Sequence, residues 1–188
     1  MKHLLLISAV CFVFVACNQS YIPKPRGYFR ISFPEKTYHR SSDSLPYSFE
    51  LANYSTLHKS TDRQNSDEWI NLATPANKAD VHLTFVKLNG DLNQHIEDSR
   101  KLAYDHSIKA DAINERLYLN PTEKVYGTIY YIEGNAASPI QFYLTDSSSN
   151  FIRGALYIRE IPNIDSIQPV IDFLEQDVVH LVETFRWK

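Results

Sequence analysis

The segment that most restricts the fold is residues 125–160. It holds three runs, VYGTIYYI (125–132), PIQFYLTD (139–146) and FIRGALYIRE (151–160), separated only by EGNAAS and SSSN. Each run has strand length and is rich in β-branched and aromatic residues. Connectors this short and polar join antiparallel neighbours, because a parallel crossover needs a dozen or more residues. A three-stranded antiparallel meander is therefore the predicted centre of the fold. The supply of 12 Tyr and 10 Phe in 188 residues favours strands elsewhere as well.

Upstream, YFRISF (28–33) alternates Phe29, Ile31 and Phe33 with polar residues and reads as a strand ended by Pro34. PYSFEL (46–51), WINLA (69–73) and DVHLTFVKL (80–88) read as three more strands, and the polar stretch 55–68 as a loop. From Asp91 to Lys109 the period changes. Leu92, Ile96, Ser99, Ala103 and His106 follow helical spacing, and Asp91 with Gln94 forms a capping-box variant. Asn120-Pro121 is a break. Asp165 to Phe185 is a second helix with a broad apolar stripe, and Asp165 with Gln168 again resembles a capping box. The fold class is thus α+β: a single twisted antiparallel sheet of about six to seven strands with two main helices packed on it. This order resembles the Mog1/PsbP-like layout.

Both cysteines, Cys11 and Cys17, lie in the first 17 residues, so no disulfide or thiolate metal site is available to the body. Lys2 followed by the apolar run Leu4–Val15 has the form of a signal peptide, being too short to span a bilayer. The segment Phe14-Val15-Ala16-Cys17 resembles a bacterial lipobox, with Phe14 in place of the usual Leu. Cys17 is then the lipidated residue: its thiol takes a diacylglyceryl group and its freed amino group a further acyl chain, and several chains together anchor stably. An ordinary cleaved secretory signal is the alternative. The organisation read from this is a lipoprotein signal peptide at 1–16, a lipid-anchored tether at 17–27 and a single α+β domain at 28–188. Pro23 and Pro25 keep the tether extended. Lys24, Arg26 and Arg30 form a small basic cluster, either solvated linker charge or a contact to anionic head groups or a partner.

A net charge of −3 provides no basic field for nucleic acid, and no nucleic-acid partner is expected. The chain contains no GxSxG, HExxH, GxGxxG or phosphate-loop motif. Its seven histidines are scattered; His95 and His106 share a helix face but stand roughly 16 Å apart, too far to share a metal. No catalytic residue, metal site or cofactor is expected, and the reading is that this is not an enzyme. Two stretches remain. Gly134-Asn135 within EGNAAS suits a tight hairpin or a close backbone approach to a partner. The stretch 96–113, IEDSRKLAYDHSIKADAI, reads as a solvated helix face.

PKPRGYFRISFPEK, IEDSRKLAYDHSIKADAI, VYGTIYYIEGNAASPIQFYLTDS, FIRGALY and LVETFRWK, in this order, closely resemble the gliding-motility lipoprotein GldD family of Bacteroidota. The resemblance implies a cell-envelope lipoprotein required for gliding, tied functionally to the type IX secretion system and its envelope proteins as partners, with a membrane contact through the lipid. It transfers no catalytic residue; only Cys17 maps onto a defined role. Asn18-Gln19-Ser20 lacks the acidic run that resembles a surface-export signal, which favours a periplasm-facing body and leaves inner or outer membrane open. A periplasmic ligand-binding module and an envelope hydrolase are the alternative readings.

Overall fold

The computed structural model describes residues 30–59, 69–160 and 164–188. Among the described residues, eleven strands and two α-helices follow one another. They are β1 (Tyr38–Arg40), β2 (Tyr47–Ser48), β3 (Glu50–Ala52), β4 (Thr56–Lys59), β5 (Trp69–Thr74), β6 (Ala79–Lys87), α1 (Leu92–Tyr104), β7 (Ala110–Asn120), β8 (Val125–Gly134), β9 (Ile140–Thr145), β10 (Asn150–Ile158), α2 (Ile164–Glu183) and β11 (Arg186–Trp187). Seven strands form one antiparallel sheet in the order β4-β5-β6-β10-β9-β8-β7. The meander β8-β9-β10 is present as the sequence predicts, and β6 closes it from the far side with Phe85 opposite Ile152. Two small pairs, β1-β3 and β2-β11, complete the strands.

Alternation along each strand assigns the two faces. Leu83, Phe85, Ile129, Phe142, Leu144 and Ile152 point to one face and pack with Phe173, Leu174, Val178, Leu181, Val182 and Phe185 of α2. Each such side chain, once enclosed, contributes roughly 1.5–3 kcal/mol. Gly154 makes this packing possible: a Cβ there would stand 2.1 Å from Cζ of Phe142, its partner across the ladder. On the other face Tyr130, Ile132, Tyr143 and Phe151 pack with Ala103, Leu92 and Ile96 of α1. α1 carries the chain from β6 across the meander to the edge strand β7. It covers only part of its face: His82 and His58, further along the sheet, are exposed.

Several expectations are corrected. Residues 30–33 form no strand (28 and 29 lie outside the described residues). Phe33 instead stacks on Phe173 of α2, ring centroids 4.3 Å apart, so the alternation there serves a helix surface. PYSFEL is divided at Phe49, because β2 pairs with β11 while β3 pairs with β1. Part of the expected 55–68 loop is β4, an edge strand whose single apolar residue, Leu57, hides the pattern. α1 ends at Tyr104, and a 3-10 turn over Asp105–Ile108 leads into β7. Asp91 makes no side-chain cap: its Oδ1 accepts the Asn89 N–H at 2.9 Å. Gln168 does not reach back along α2 but donates Nε2 to Asp172 Oδ1 at 2.6 Å; the Asp165 side chain lies outside the described set.

Candidate partner-binding site

A groove of about 700 Å³ lies between the β7-β8 end of the sheet and the first half of α2. Its shape begins with a bulge. β7 slips register between Ala110 and Ala112 against Glu133 and Gly134, which leaves Asp111 unpaired and turned toward Gly134. Gly134 has φ +95, and a Cβ there would meet the Asp111 backbone nitrogen at 2.8 Å. Glycine is therefore required on two counts. The close backbone approach at Gly134 is made to the chain's own Asp111. Asn135, one residue on, points its Oδ1 at the first turn of α2 and accepts the Ile164 N–H at 2.9 Å. It satisfies one of the orphan donors of that helix end from outside the helix. The Gly134-Asn135 pair thus sets the angle at which α2 leaves the sheet, and with it the width of the groove.

Carboxylates outnumber cations in the lining. Asp111, Glu133 and Glu175 face one guanidinium, Arg116. Asn114 Nδ2 donates to Glu133 Oε1 at 2.7 Å. Burial raises the Glu175 pKa, the Asp172 charge adds to that, and Arg116 opposes both. Ile140, Ile164 and Ile171 supply an apolar floor. The described lining includes no Ser, Thr, Cys, His or Lys. Such a surface can bind by carboxylate acceptors over an apolar floor, with the Tyr131 hydroxyl and the Arg116 guanidinium as the further polar groups beside the amides.

A second assembly ties the start of the body to α2. Asp177 Oδ1 accepts Lys36 Nζ at 2.6 Å and the Tyr38 hydroxyl at 2.9 Å, while Oδ2 accepts the Tyr54 hydroxyl at 2.6 Å. Lys36 Nζ also donates to the Phe173 carbonyl at 2.8 Å and lies 3.8 Å above the Phe173 ring. Burial first, then the bond to Asp177, raises both the Tyr38 and Tyr54 pKa values. Tyr38 stacks on His180, which bonds Glu50 at 2.8 Å. The residues nearest the tether are therefore fixed to the second helix.

Of the residues singled out in the sequence, Gly134 lines the groove and Asn135 braces its rim. Arg30 is exposed and does not line it. Cys17, Lys24 and Arg26 lie outside the described residues. Sequence reasoning missed Asp111 and Arg116 because β7 was not recognised, and Glu175 because the predicted second helix was read by its apolar stripe alone. It missed Lys36 and Asp177 because their meeting spans most of the chain. Among the described residues no group of three or more His, Cys, Asp or Glu could hold a metal ion, and no helix is long and apolar enough to cross a membrane.

The solution structure of cyanobacterial PsbP (CyanoP) from Synechocystis sp. PCC 6803 superposes with a TM-score of 0.51 at 9% identity, over 85% of this chain and 98% of that one. At that identity the likeness is one of fold, and it matches the layout read from the sequence. No curated protein sequence matches the chain. The profile of the gliding motility lipoprotein GldD family matches residues 18–187. With nearly the whole chain covered, the protein belongs to the gliding motility lipoprotein GldD family, and so to the membrane-anchored lipoproteins of the cell envelope that serve gliding motility.

Proposed function

We propose that this protein is a lipid-anchored accessory component of the gliding and type IX secretion machinery of Bacteroidota, acting through protein contacts and without catalysis. Acylated Cys17 holds it to the membrane with its body on the periplasmic side. The chain between Cys17 and Arg30 reaches at most roughly 45 Å, which keeps the body within contact range of envelope proteins. The observation that carries the reading is the groove: a built, acidic, apolar-floored surface braced by the Gly134-Asn135 turn. Its carboxylates suit an envelope protein that presents basic or amide side chains.

The test is a deletion strain complemented with wild type, Cys17→Ala, or the double variant Arg116→Ala with Glu175→Arg, scored for colony spreading and adhesin secretion. Deletion is expected to abolish both. Cys17→Ala fails to rescue, and the groove variant fails to rescue while accumulating to wild-type level. Deletion that leaves spreading and secretion intact overturns the reading. Full rescue by the groove variant removes the groove from it.

A further inference from the structure

The seven-stranded sheet ends in two unlike edges. β4 has four residues, whereas β7 has eleven, and among the described residues no strand pairs with the outer side of β7. The ladder fixes which peptide groups that side offers. The Ile132 N–H donates to the Pro139 carbonyl at 2.8 Å. The even-numbered residues of β8 therefore turn their peptide groups to β9, and the odd-numbered ones to β7. The pairs Tyr131–Asn114, Ile129–Arg116 and Gly127–Tyr118 then use the even-numbered residues of β7. The N–H and C=O groups of Ile113, Glu115, Leu117 and Leu119 point out from the sheet.

The two faces of this edge differ. On the α1 face Ile113 packs with the cluster around Ala103, and the Glu115 carboxylate accepts the Tyr104 hydroxyl at 2.8 Å. Leu117 and Leu119 follow on the same face and are 72% and 66% exposed. On the α2 face Asn114 and Arg116 line the acidic groove. Its carboxylates, Asp111, Glu133 and Glu175, form no ion pair among the described residues. Asp111 and Glu133 gather at the bulge, the end of β7 remote from the leucines. Folded proteins blunt an exposed edge with bulges and charges. Here the bulge, Glu115 and Arg116 occupy the first part of β7. Residues 117–120 keep a regular register and offer two bare leucines.

We propose that the outer edge of β7 takes an extended segment of an envelope protein as an antiparallel eighth strand, and that this segment carries an apolar residue, a second one two positions on, and a Lys or Arg three positions after that. The proposal rests on the protein-contact role above and names how the partner is read. The spacing follows from the pairing. Residues opposite Leu119 and Leu117 are two apart and cover both leucines on the α1 face. The residue opposite Asn114 comes three later, on the α2 face, and brings its positive charge to the end of the groove where Asp111 and Glu133 lie. The residue opposite Arg116 is not a cation, since like charges directly opposite repel. A second copy of this chain fits less well. Paired so that Leu117 meets Leu119, it sets Thr122 opposite Asn114 and brings no charge to the groove. The register that brings Arg116 opposite Asn114 sets Glu115 against Glu115 of the copy.

The probe is the synthetic peptide acetyl-TVTLSTKT-amide, which has this pattern, titrated into ¹⁵N-labelled full-length lipoprotein in detergent. Saturable shifts are expected at the amides of Glu115, Leu117 and Leu119, whose N–H groups take up new bonds. N-methylation of the peptide's valine and leucine removes the donors that face β7, and glutamate in place of its lysine reverses the charge. Each change is expected to raise the half-saturation concentration about tenfold or more. In Leu117→Pro the probe gives no saturable shift. The N–H lost there serves no bond within the sheet, as is required of a proline on an edge strand. Where that variant fails to fold, the N-methylated peptide makes the same test on the wild-type chain. No saturable response, or equal binding of the N-methylated or glutamate peptide, overturns the proposal. A dimer in sedimentation equilibrium that Leu117→Pro dissociates gives the edge to a second copy and overturns it as well. In the deletion strain Leu117→Pro is expected to accumulate without restoring colony spreading. Spreading restored by that variant overturns the added strand and leaves the anchored-component reading in place; only spreading that survives deletion removes that reading.

Discussion

Two cations are drawn into the body of this protein, and the chain treats them oppositely. Lys36, on the α2 side, meets Asp177, a backbone carbonyl, the Tyr54 hydroxyl and the face of Phe173. Arg153, on the α1 side, meets neutral groups instead, the Gln141 amide and the Tyr157 hydroxyl. The first is settled by groups from the first and last parts of the chain, so its work is to hold the anchor-proximal segment on the second helix. The second lines a cavity beside α1 and is held by neighbours within the sheet. The fold settles one buried cation with an opposite charge and the other with neutral acceptors, which leaves a net charge in place.

The largest effect tests the settled side. Asp177→Ala removes the acceptor of Lys36, Tyr38 and Tyr54 at once and leaves a part-buried ammonium without its counter-charge. The expected loss is about 3–5 kcal/mol, which for a chain of this size lowers the melting temperature by about 10 °C. Urea unfolding of the purified protein measures it. A loss under about 1 kcal/mol would place this cluster among ordinary surface pairs and dissolve the contrast with Arg153.

A smaller effect comes from a third way of settling charge, with backbone donors alone. Asp146 sits in the SSSN turn, where its Oδ1 accepts the N–H groups of Ser148, Ser149 and Asn150 at 2.9, 2.7 and 2.9 Å. Partial burial alone would raise its pKa, but these bonds and the Asn150 side chain outweigh that and bring it down to about 2. A depressed carboxylate stabilises the fold fully above its unfolded value near 3.9, and that stabilisation is lost as pH falls through about 2. Discounted for solvent screening, it amounts to about 1 kcal/mol. The stability gap between wild type and Asp146→Asn is therefore expected to be open at pH 6 and to close between pH 4 and pH 2. A gap independent of pH would mean that the turn geometry, and not the ionised carboxylate, is what matters.

How much of this was legible in the sequence follows from the range of each interaction. The meander, β5, β6 and both helices were readable because strand and helix periods are local properties. β7 was not, because an edge strand exposed on both faces loses its alternation: Leu117 and Leu119 are 72% and 66% exposed, and Asp111, Glu115 and Arg116 interrupt the pattern. Gly134-Asn135 stood out in the sequence as a hairpin or a partner contact, whereas in the structure it answers a bulge in β7 and caps α2. Both partners are remote in sequence, so no local pattern could supply them. Arg153 did carry a signal, a lone cation inside FIRGALY, in a strand otherwise apolar. What that signal meant depended on Gln141, which becomes its neighbour only through the β9-β10 register.

The smallest expected effect gives the sharpest form of the comparison. Matched double variants replace each cation and its bonded partner by apolar side chains of similar size: Lys36→Met with Asp177→Leu, and Arg153→Met with Gln141→Leu. Replacing a buried polar pair in this way is often neutral or stabilising when no other group depended on it. On the α2 side other groups do depend on it, since Tyr38 and Tyr54 lose their acceptor, and a residual loss of about 1–3 kcal/mol is expected. On the α1 side both orphan donors vanish together with the charge. The expected change in stability there is within about 0.5 kcal/mol of zero or is an increase. A loss of more than about 2 kcal/mol from the Arg153 and Gln141 double variant would make that pair structural too. Its absence would mean that the fold retains an arginine it does not need for stability.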